Sequence, residues 1–526
     1  MKPLVILSCS LLSATYVGAA PTQAAPILKF DPSLFSVQQK SLNGKSVAYR
    51  GAEGILYVSH PVDPRYQTLN IYVPEPYFHG EKVNGYTSKT APIFFPNSIG
   101  GYMPGAAQKP GSGMDRMHNT LLKALDHGYV VVAPGARGRT LKDAQGKYTG
   151  KAPAAIVDLK AAVRYIKFNR AVIPGNVDRI VSNGTSAGGA MSTLLGATGN
   201  SRDYAPYLNS LGAANATDNI WATSAYCPIT NLDNADTAYE WLLNGVNESK
   251  HFGPAGMPPM PMGGMPGGGP DFGGPPPGAG GPGGPGGPGG PNPFGQPSSG
   301  NGKMNATQIA NSASLKAIFP AYVNGLHLKG ADGKPLTLDR NGNGPFKDAI
   351  KTLLITSAQI AQKKGVDISK TSWITVKNGA VVGMDWDGFV RTVGRMKQTS
   401  AFDSPALTTG ENNEFGSETV DNQHFTKFGM SHNTVAGAAM ADSRIIKMMN
   451  PMDYIGTRGA KVSPLWRIRH GAIDRDTSLA IPTILATKLA NCGYSVDFAI
   501  PWNTPHSGDY DLDELFSWID SHAKGK

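Results

Sequence analysis

The clearest chemical feature of the sequence is Gly184-Thr185-Ser186-Ala187-Gly188, a G-x-S-x-G within the stretch Ile180 to Met191. The apolar residues before it read as a strand, and the small residues after it as the start of a helix. A serine on so sharp a turn stands clear of the backbone, and the flanking glycines let neighbouring chain approach without a clashing Cβ. The free N–H groups of the following helix aim at any oxyanion formed there. A serine hydroxyl is a weak nucleophile until a base takes its proton and an acid holds that base. On strand–turn–helix frames of this kind the partners follow in chain order Ser, Asp or Glu, then His, each after a late strand. Asp474 and His506 occupy those places, and His506 sits in the Pro- and Gly-flanked turn NTPHSGD. His470 is the alternative base, although it falls inside the preceding strand and close to Asp474; Asp476 is the alternative acid. The oxyanion donors are predicted to be the N–H of Ala187 and that of Gly100, with Gly101 as second choice, in the loop NSIGG.

These groups need elements to hold them. Three β-rich segments, SVAYRG, GILYVS and TLNIYVP, open the chain and are separated by turn residues. Two apolar runs, Ala91 to Pro96 and Tyr129 to Ala133, have the all-hydrophobic character of strands buried on both faces. Met117, Leu121, Ala124 and Leu125 predict one face of a helix closed by His127 and Gly128. Ile156, Leu159, Val163 and Ile166 predict a second helix leading into the Ser186 strand. Trp221 to Tyr226 reads as a further strand. Late strands are predicted at Leu465 to Gly471 and in YSVDFAIP, with helices ending near Ala490 and over Leu512 to Ile519. Alternating strands and helices imply an α/β fold, with a mostly parallel, doubly wound sheet. Ser186 then lies at a strand's carboxyl end, where such sheets place their sites.

The two ends of the chain thus build one sheet, over residues 25–230 and 446–526, and residues 231–445 form a large inserted lid. Inside the lid, residues 253–302 are almost wholly Gly, Pro, Met and Ser, and read as a disordered surface loop. Helical spacing returns at Ile350, Leu353, Leu354 and Ala361. Asp339-Arg340-Asn341-Gly342-Asn343-Gly344 matches the start of a calcium loop, but the position that needs a bidentate Glu is Ile350, so a solvated turn is expected. No metal and no cofactor are predicted.

Residues 1–24 carry Lys2, an apolar run and small residues suited to cleavage, the pattern of a signal peptide; a secreted or periplasmic protein is expected. No later stretch is long and apolar enough to span a membrane. Of three cysteines, Cys9 lies in this leader, which leaves Cys227 and Cys492 as a pair or as two free thiols. The net charge of +10 comes from dispersed Lys and Arg, which argues against a nucleic-acid partner.

The run GTSAGGAMSTLLGATGN, continuing through DYAPYL and SAYCPITNLDNADTAYEW, resembles the bacterial tannases, and so do GRMKQTSAFD, ENNEFG, HGAIDRDT and NTPHSGDYD. Members of that family are α/β-hydrolases with a large inserted lid that cleave galloyl esters. The resemblance implies a catalytic Ser186, Asp474 and His506 and oxyanion donors at Gly100 and Ala187. It also implies galloyl contacts from Lys397, Glu411 and Asp476, with an apolar wall at Ile229. A proline that packs on the ring within that family corresponds here to Gly410. Fungal tannases and their feruloyl-esterase relatives place cysteines beside the catalytic Ser and His; here those neighbours are Thr185 and Pro505. The expected partners are therefore small galloyl or phenolic esters. The alternatives are a feruloyl- or chlorogenate-type carboxylesterase or, outside enzymes, an adhesive module on the same fold.

Overall fold

The computed structural model describes residues 28–113, 115–249 and 302–524. The expected signal peptide, and all but the last residue of the Gly/Pro-rich tract, lie outside the described residues. Among these residues no helix is long and apolar enough to cross a membrane.

Nine strands form one sheet: β1 (Ser36–Leu42), β2 (Lys45–Leu56), β3 (Thr68–Pro74), β4 (Pro92–Pro96), β5 (Val130–Pro134), β6 (Asn176–Thr185), β7 (Ala222–Tyr226), β8 (Leu465–Arg469) and β9 (Ser495–Ala499). Their spatial order is β1-β2-β3-β5-β4-β6-β7-β8-β9. The first three strands and the β3–β5 pair are antiparallel, and the pairs from β5 onward are parallel. This is the α/β-hydrolase arrangement, with the long connection between β7 and β8 as its inserted region. Strands β4 and β5 are apolar and every residue of both is buried, as strands covered on two faces require.

Two expectations fail here. SVAYRG and GIL are not separate strands but one, β2, whose register shifts between Ala52 and Ile55, where Gly54 takes φ +70°. Met117 is 75% exposed, because the helix breaks at Asn119 (φ +51°) into Asp115–His118 and α1 (Thr120–Asp126). The spacing ran through a break that only the left-handed Asn119 reveals. β1 carries no strand signal in the sequence: it is an edge strand with almost no buried residue, so it has no hydrophobic alternation. Its turn, Asn43-Gly44 with both φ positive, is nonetheless the residue pair that tight hairpins favour.

Helices α2 (Ala154–Phe168) and α3 (Ala187–Ala197) pack against β6, and α3 also against β7. The inserted region begins with α4 (Leu232–Leu243) and contains α5 (Ala306–Gly325) and α6 (Pro345–Lys363). The Trp241 ring of α4 packs at tilted angles against Phe319, Phe346 and Trp386, and the insertion shares one apolar cluster with the sheet. A fully buried ion pair, Arg395 with Glu240 at 2.5 Å, ties a later segment of this region back to α4. Glu248 and Ser249 pair with Lys303 and Gly302, which brings the two sides of the Gly/Pro-rich tract together. Helix α7 (Ala480–Asn491) follows β8, and α8 (Leu512–Ala523) follows β9.

Candidate functional site

The ladder register explains why distant residues meet. Thr185 pairs with Tyr226, Tyr226 with Arg469, and Arg469 with Ala499, so β6, β7, β8 and β9 end in one row. The next residues, Ser186, Cys227, His470 and Ile500, begin four adjacent loops. Ser186 sits at φ +61°, ψ −123°, a conformation costly for a residue with a side chain and held by its surroundings. Its N–H donates to Tyr226 O at 3.0 Å, and its carbonyl accepts from Ile229 N at 3.3 Å. The two glycines after Ala187 make the turn possible. A Cβ on Gly188 would lie 2.7 Å from Asn97 Oδ1 and Ile99 O, and one on Gly189 would lie 2.6 Å from Tyr226 O.

Asp474 is buried and divides its two oxygens between tasks. Oδ1 accepts the N–H of Asp476 at 2.8 Å, and Oδ2 accepts His506 Nδ1 at 2.8 Å. Burial alone would raise the Asp474 pKa, but His506, His470 and these hydrogen bonds outweigh it and hold the carboxyl at about 2. Burial likewise works against an imidazolium at His506, yet the Asp474 charge, with Asp476 behind it, carries its pKa well above the usual histidine value. The other ring nitrogen, Nε2, lies 3.8 Å from Asp476 Oδ2 and 3.9 Å from Cys227 Sγ. His470, the alternative base, lies just past β8 rather than within it. It is fully buried, with Nδ1 3.7 Å from Asp474 Oδ2, so it flanks the acid instead of replacing His506.

Lys397 and Asp476 meet beside this pair, Nζ to Oδ1 at 3.2 Å, and both are buried. Lys397 Nζ also lies 4.1 Å from the centre of the Phe402 ring. Burial disfavours the ammonium, but Asp476 and Glu411 reverse that and raise its pKa. Glu411 is raised by burial against the opposing pull of Lys397. His506 and Asp474 therefore meet Asp476 on one side and Lys397 meets it on the other, while the Glu411 carboxylate acts on the Lys397 charge. Ile229 is buried next to the Ser186 loop, and its carbonyl accepts the Tyr102 hydroxyl at 2.9 Å.

Solved structures with the same architecture over nearly the whole chain are tannin acyl hydrolases. The Lactobacillus plantarum enzyme in its native form is 44% identical, covering 94% of this chain and 98% of its own, with a TM-score of 0.84. The Fusobacterium nucleatum tannase is 46% identical over 94% of this chain and 99% of its own, with a TM-score of 0.82. The chain belongs to the tannase family. It is thereby a carboxylic ester hydrolase of the α/β-hydrolase fold. A tannin acyl hydrolase solved in complex with ethyl gallate is also 44% identical, covering 94% of this chain and 99% of its own, with a TM-score of 0.83. The BD-FAE family model matches residues 98–250. No curated protein matches.

Several residues around this tannase site carried no sequence signal. Asn97 Nδ2 donates to Asn183 O, Gly188 O and Ser192 Oγ at 3.0 to 3.1 Å, stapling the loop of Gly100 to the Ser186 turn. Arg139 is buried; its Nε donates to Gly101 O at 2.8 Å and its Nη1 to Asn413 Oδ1 at 3.0 Å. It thus joins the Gly100 loop to the helix Gly410–Glu414 that carries Glu411. Cys227 and Cys492 are both free. Asp339 Oδ1 accepts the N–H groups of Asn341 and Asn343 at 2.8 and 2.9 Å, the internal bonding of an exposed turn.

Proposed function

We propose that the protein hydrolyses galloyl esters by a Ser-His-Asp acyl-enzyme mechanism. His506 Nε2 takes the Ser186 proton as Oγ attacks the ester carbonyl, while Asp474 holds Nδ1 and balances the imidazolium. The N–H groups of Ala187 and Gly100 receive the oxyanion. The same Nε2 then gives its proton to the leaving alcohol, and water repeats the sequence on the acyl-enzyme to release gallic acid. Because Asp474 and Asp476 stabilise the protonated base, the reactive neutral form of His506 grows as pH rises.

Lys397, Glu411 and Asp476 are the proposed ring contacts. Three adjacent phenols are donors and acceptors together, and one cation between two carboxylates matches them. Ile229 gives the ring an apolar wall. The observation that carries this reading is the position of Asp476. One of its oxygens faces Lys397 at 3.2 Å and the other faces His506 Nε2 at 3.8 Å, so ring recognition abuts the base. Residues 231–445 serve as the lid over a core of residues 25–230 and 446–526, and residues 1–24 as an export signal that makes the protein secreted or periplasmic.

The test compares methyl gallate, methyl ferulate and p-nitrophenyl acetate side by side. A galloyl esterase shows kcat/KM highest on methyl gallate by at least about tenfold, the value of one hydrogen bond to a charged group. Ferulate preferred over gallate would replace this reading with a hydroxycinnamate esterase, and inertness on all three would leave a binding module.

A further inference from the structure

His470 is a buried titratable group that the proposed reaction does not use. It is fully enclosed, and neither ring nitrogen has a hydrogen-bond partner. An unpartnered buried imidazole costs free energy, and it lies against the acid of the proposed triad. Asp474 Oδ2 has two histidine neighbours: His506 Nδ1 at 2.8 Å and His470 Nδ1 at 3.7 Å. The remaining titratable groups here are Asp476 on the same loop as Asp474 and Cys227 on the loop after β7. Burial holds His470 neutral. Beside an ionised Asp474, its favoured tautomer carries hydrogen on Nδ1, since a lone pair there would face the carboxylate. A movement of about 0.8 Å brings that N–H to hydrogen-bond distance.

We propose that His470 is a positioning residue acting through Asp474. While His506 is neutral and Asp474 bears its full charge, the His470 Nδ1–H closes on Asp474 Oδ2, and the contact loosens as the Ser186 O–H bond breaks and the proton arrives on His506 Nε2. The added donor draws charge from the carboxylate, so His506 is less strongly basic and releases its proton readily to the leaving alcohol. His470 keeps its own proton throughout. This role rests on the Ser186–His506–Asp474 reading.

Three substitutions separate this role from simple packing. The amide nitrogen of His470→Asn hangs on Cγ, as Nδ1 does, whereas that of His470→Gln occupies the place of Nε2, and His470→Leu has no donor. With the donor lost, Asp474 bears more charge and His506 becomes more basic. In the Leu and Gln variants the acid limb of kcat/KM should therefore move up by about half to one pH unit, with kcat about threefold to tenfold lower and KM little changed. His470→Asn should stay near wild type. An unmoved limb in His470→Leu, or an equal shift in His470→Asn, overturns the proposal. If the variants do not fold, ¹⁵N-histidine spectra of the wild-type protein decide: a neutral Nδ1–H tautomer is expected at His470, and Nε2–H overturns it. Ser186→Ala is assayed alongside. Its retained activity would overturn the triad and this proposal together, whereas a dead Ser186→Ala with an unmoved limb overturns only the role of His470.

Discussion

Lys397→Met separates the proposed ring recognition from the proposed chemistry more cleanly than a change at either carboxylate. Asp476 faces His506 Nε2 at 3.8 Å, so its loss would disturb the base as well as the pocket. Lys397 is one step removed, touching Asp476 at 3.2 Å. Methionine keeps a long, flexible, apolar stem beside Phe402 and removes the charge and its donors. A hydrogen bond to a charged group contributes about 1.5–3 kcal/mol, so kcat/KM on methyl gallate should fall about 10- to 150-fold. On p-nitrophenyl acetate, which has no ring hydroxyls on its acyl side, the loss should stay within about threefold. The residual effect comes from an unneutralised Asp476, which makes His506 slightly more basic and should shrink as pH rises. The substitution also leaves the buried Asp476 carboxylate without its cation, a destabilisation of about 3–5 kcal/mol by comparison with other broken buried pairs. Thermal unfolding of the variant must therefore accompany the kinetics. Equal losses on the two esters in a folded variant, or none on either, would refute a ring-reading role for Lys397.

Ser186→Ala and His506→Ala should each lower kcat by about four to six orders of magnitude, and the double variant should be no worse than either single; additive losses in steady-state kinetics would show that the two do not work as a unit. Glu414 is fully buried, neither carboxylate oxygen has a partner, and burial pushes its pKa up to about 8 against the pull of Arg139 and Lys151. Its folded-state pKa is raised, so its contribution is intact below the unfolded value and is lost as pH rises toward about 8. Glu414→Gln should therefore match wild type near pH 5 and gain stability by about 2–4 kcal/mol near pH 9, and parallel denaturation curves across that range would count against it. Replacing residues 251–301 by a short turn should shift stability by only about 1–2 kcal/mol and spare activity, because Ser249 and Gly302 already pair. Collapse of folding in urea titrations would show that the tract packs on the protein.

The motif around Ser186, the late Asp474 and His506, and the strand–helix alternation were legible in the sequence because each is local. A strand buried on both faces must be apolar throughout, as β4 and β5 are, and a sharp strand-to-helix turn needs its glycines where Gly188 and Gly189 stand. Local signals failed where the deciding term was not local. Edge strand β1 buries almost nothing, so no alternation marks it, and the break at Asn119 left Met117 exposed despite helical spacing. Lys397 and Glu411 stand out in the sequence only through the family resemblance, since spacing cannot tell a buried charge in the inserted region from a solvated one. The tertiary structure alone decided which groups share a space. The parallel register sets the ends of β6, β7, β8 and β9 in one row, and this brings together residues up to hundreds of positions apart. That row puts His506 at 2.8 Å and His470 at 3.7 Å from the same oxygen of Asp474, and sets Cys227 beside them. Hydrogen bonding, burial and charge act over a few ångströms of space, and chain order does not encode those distances until the sheet has formed.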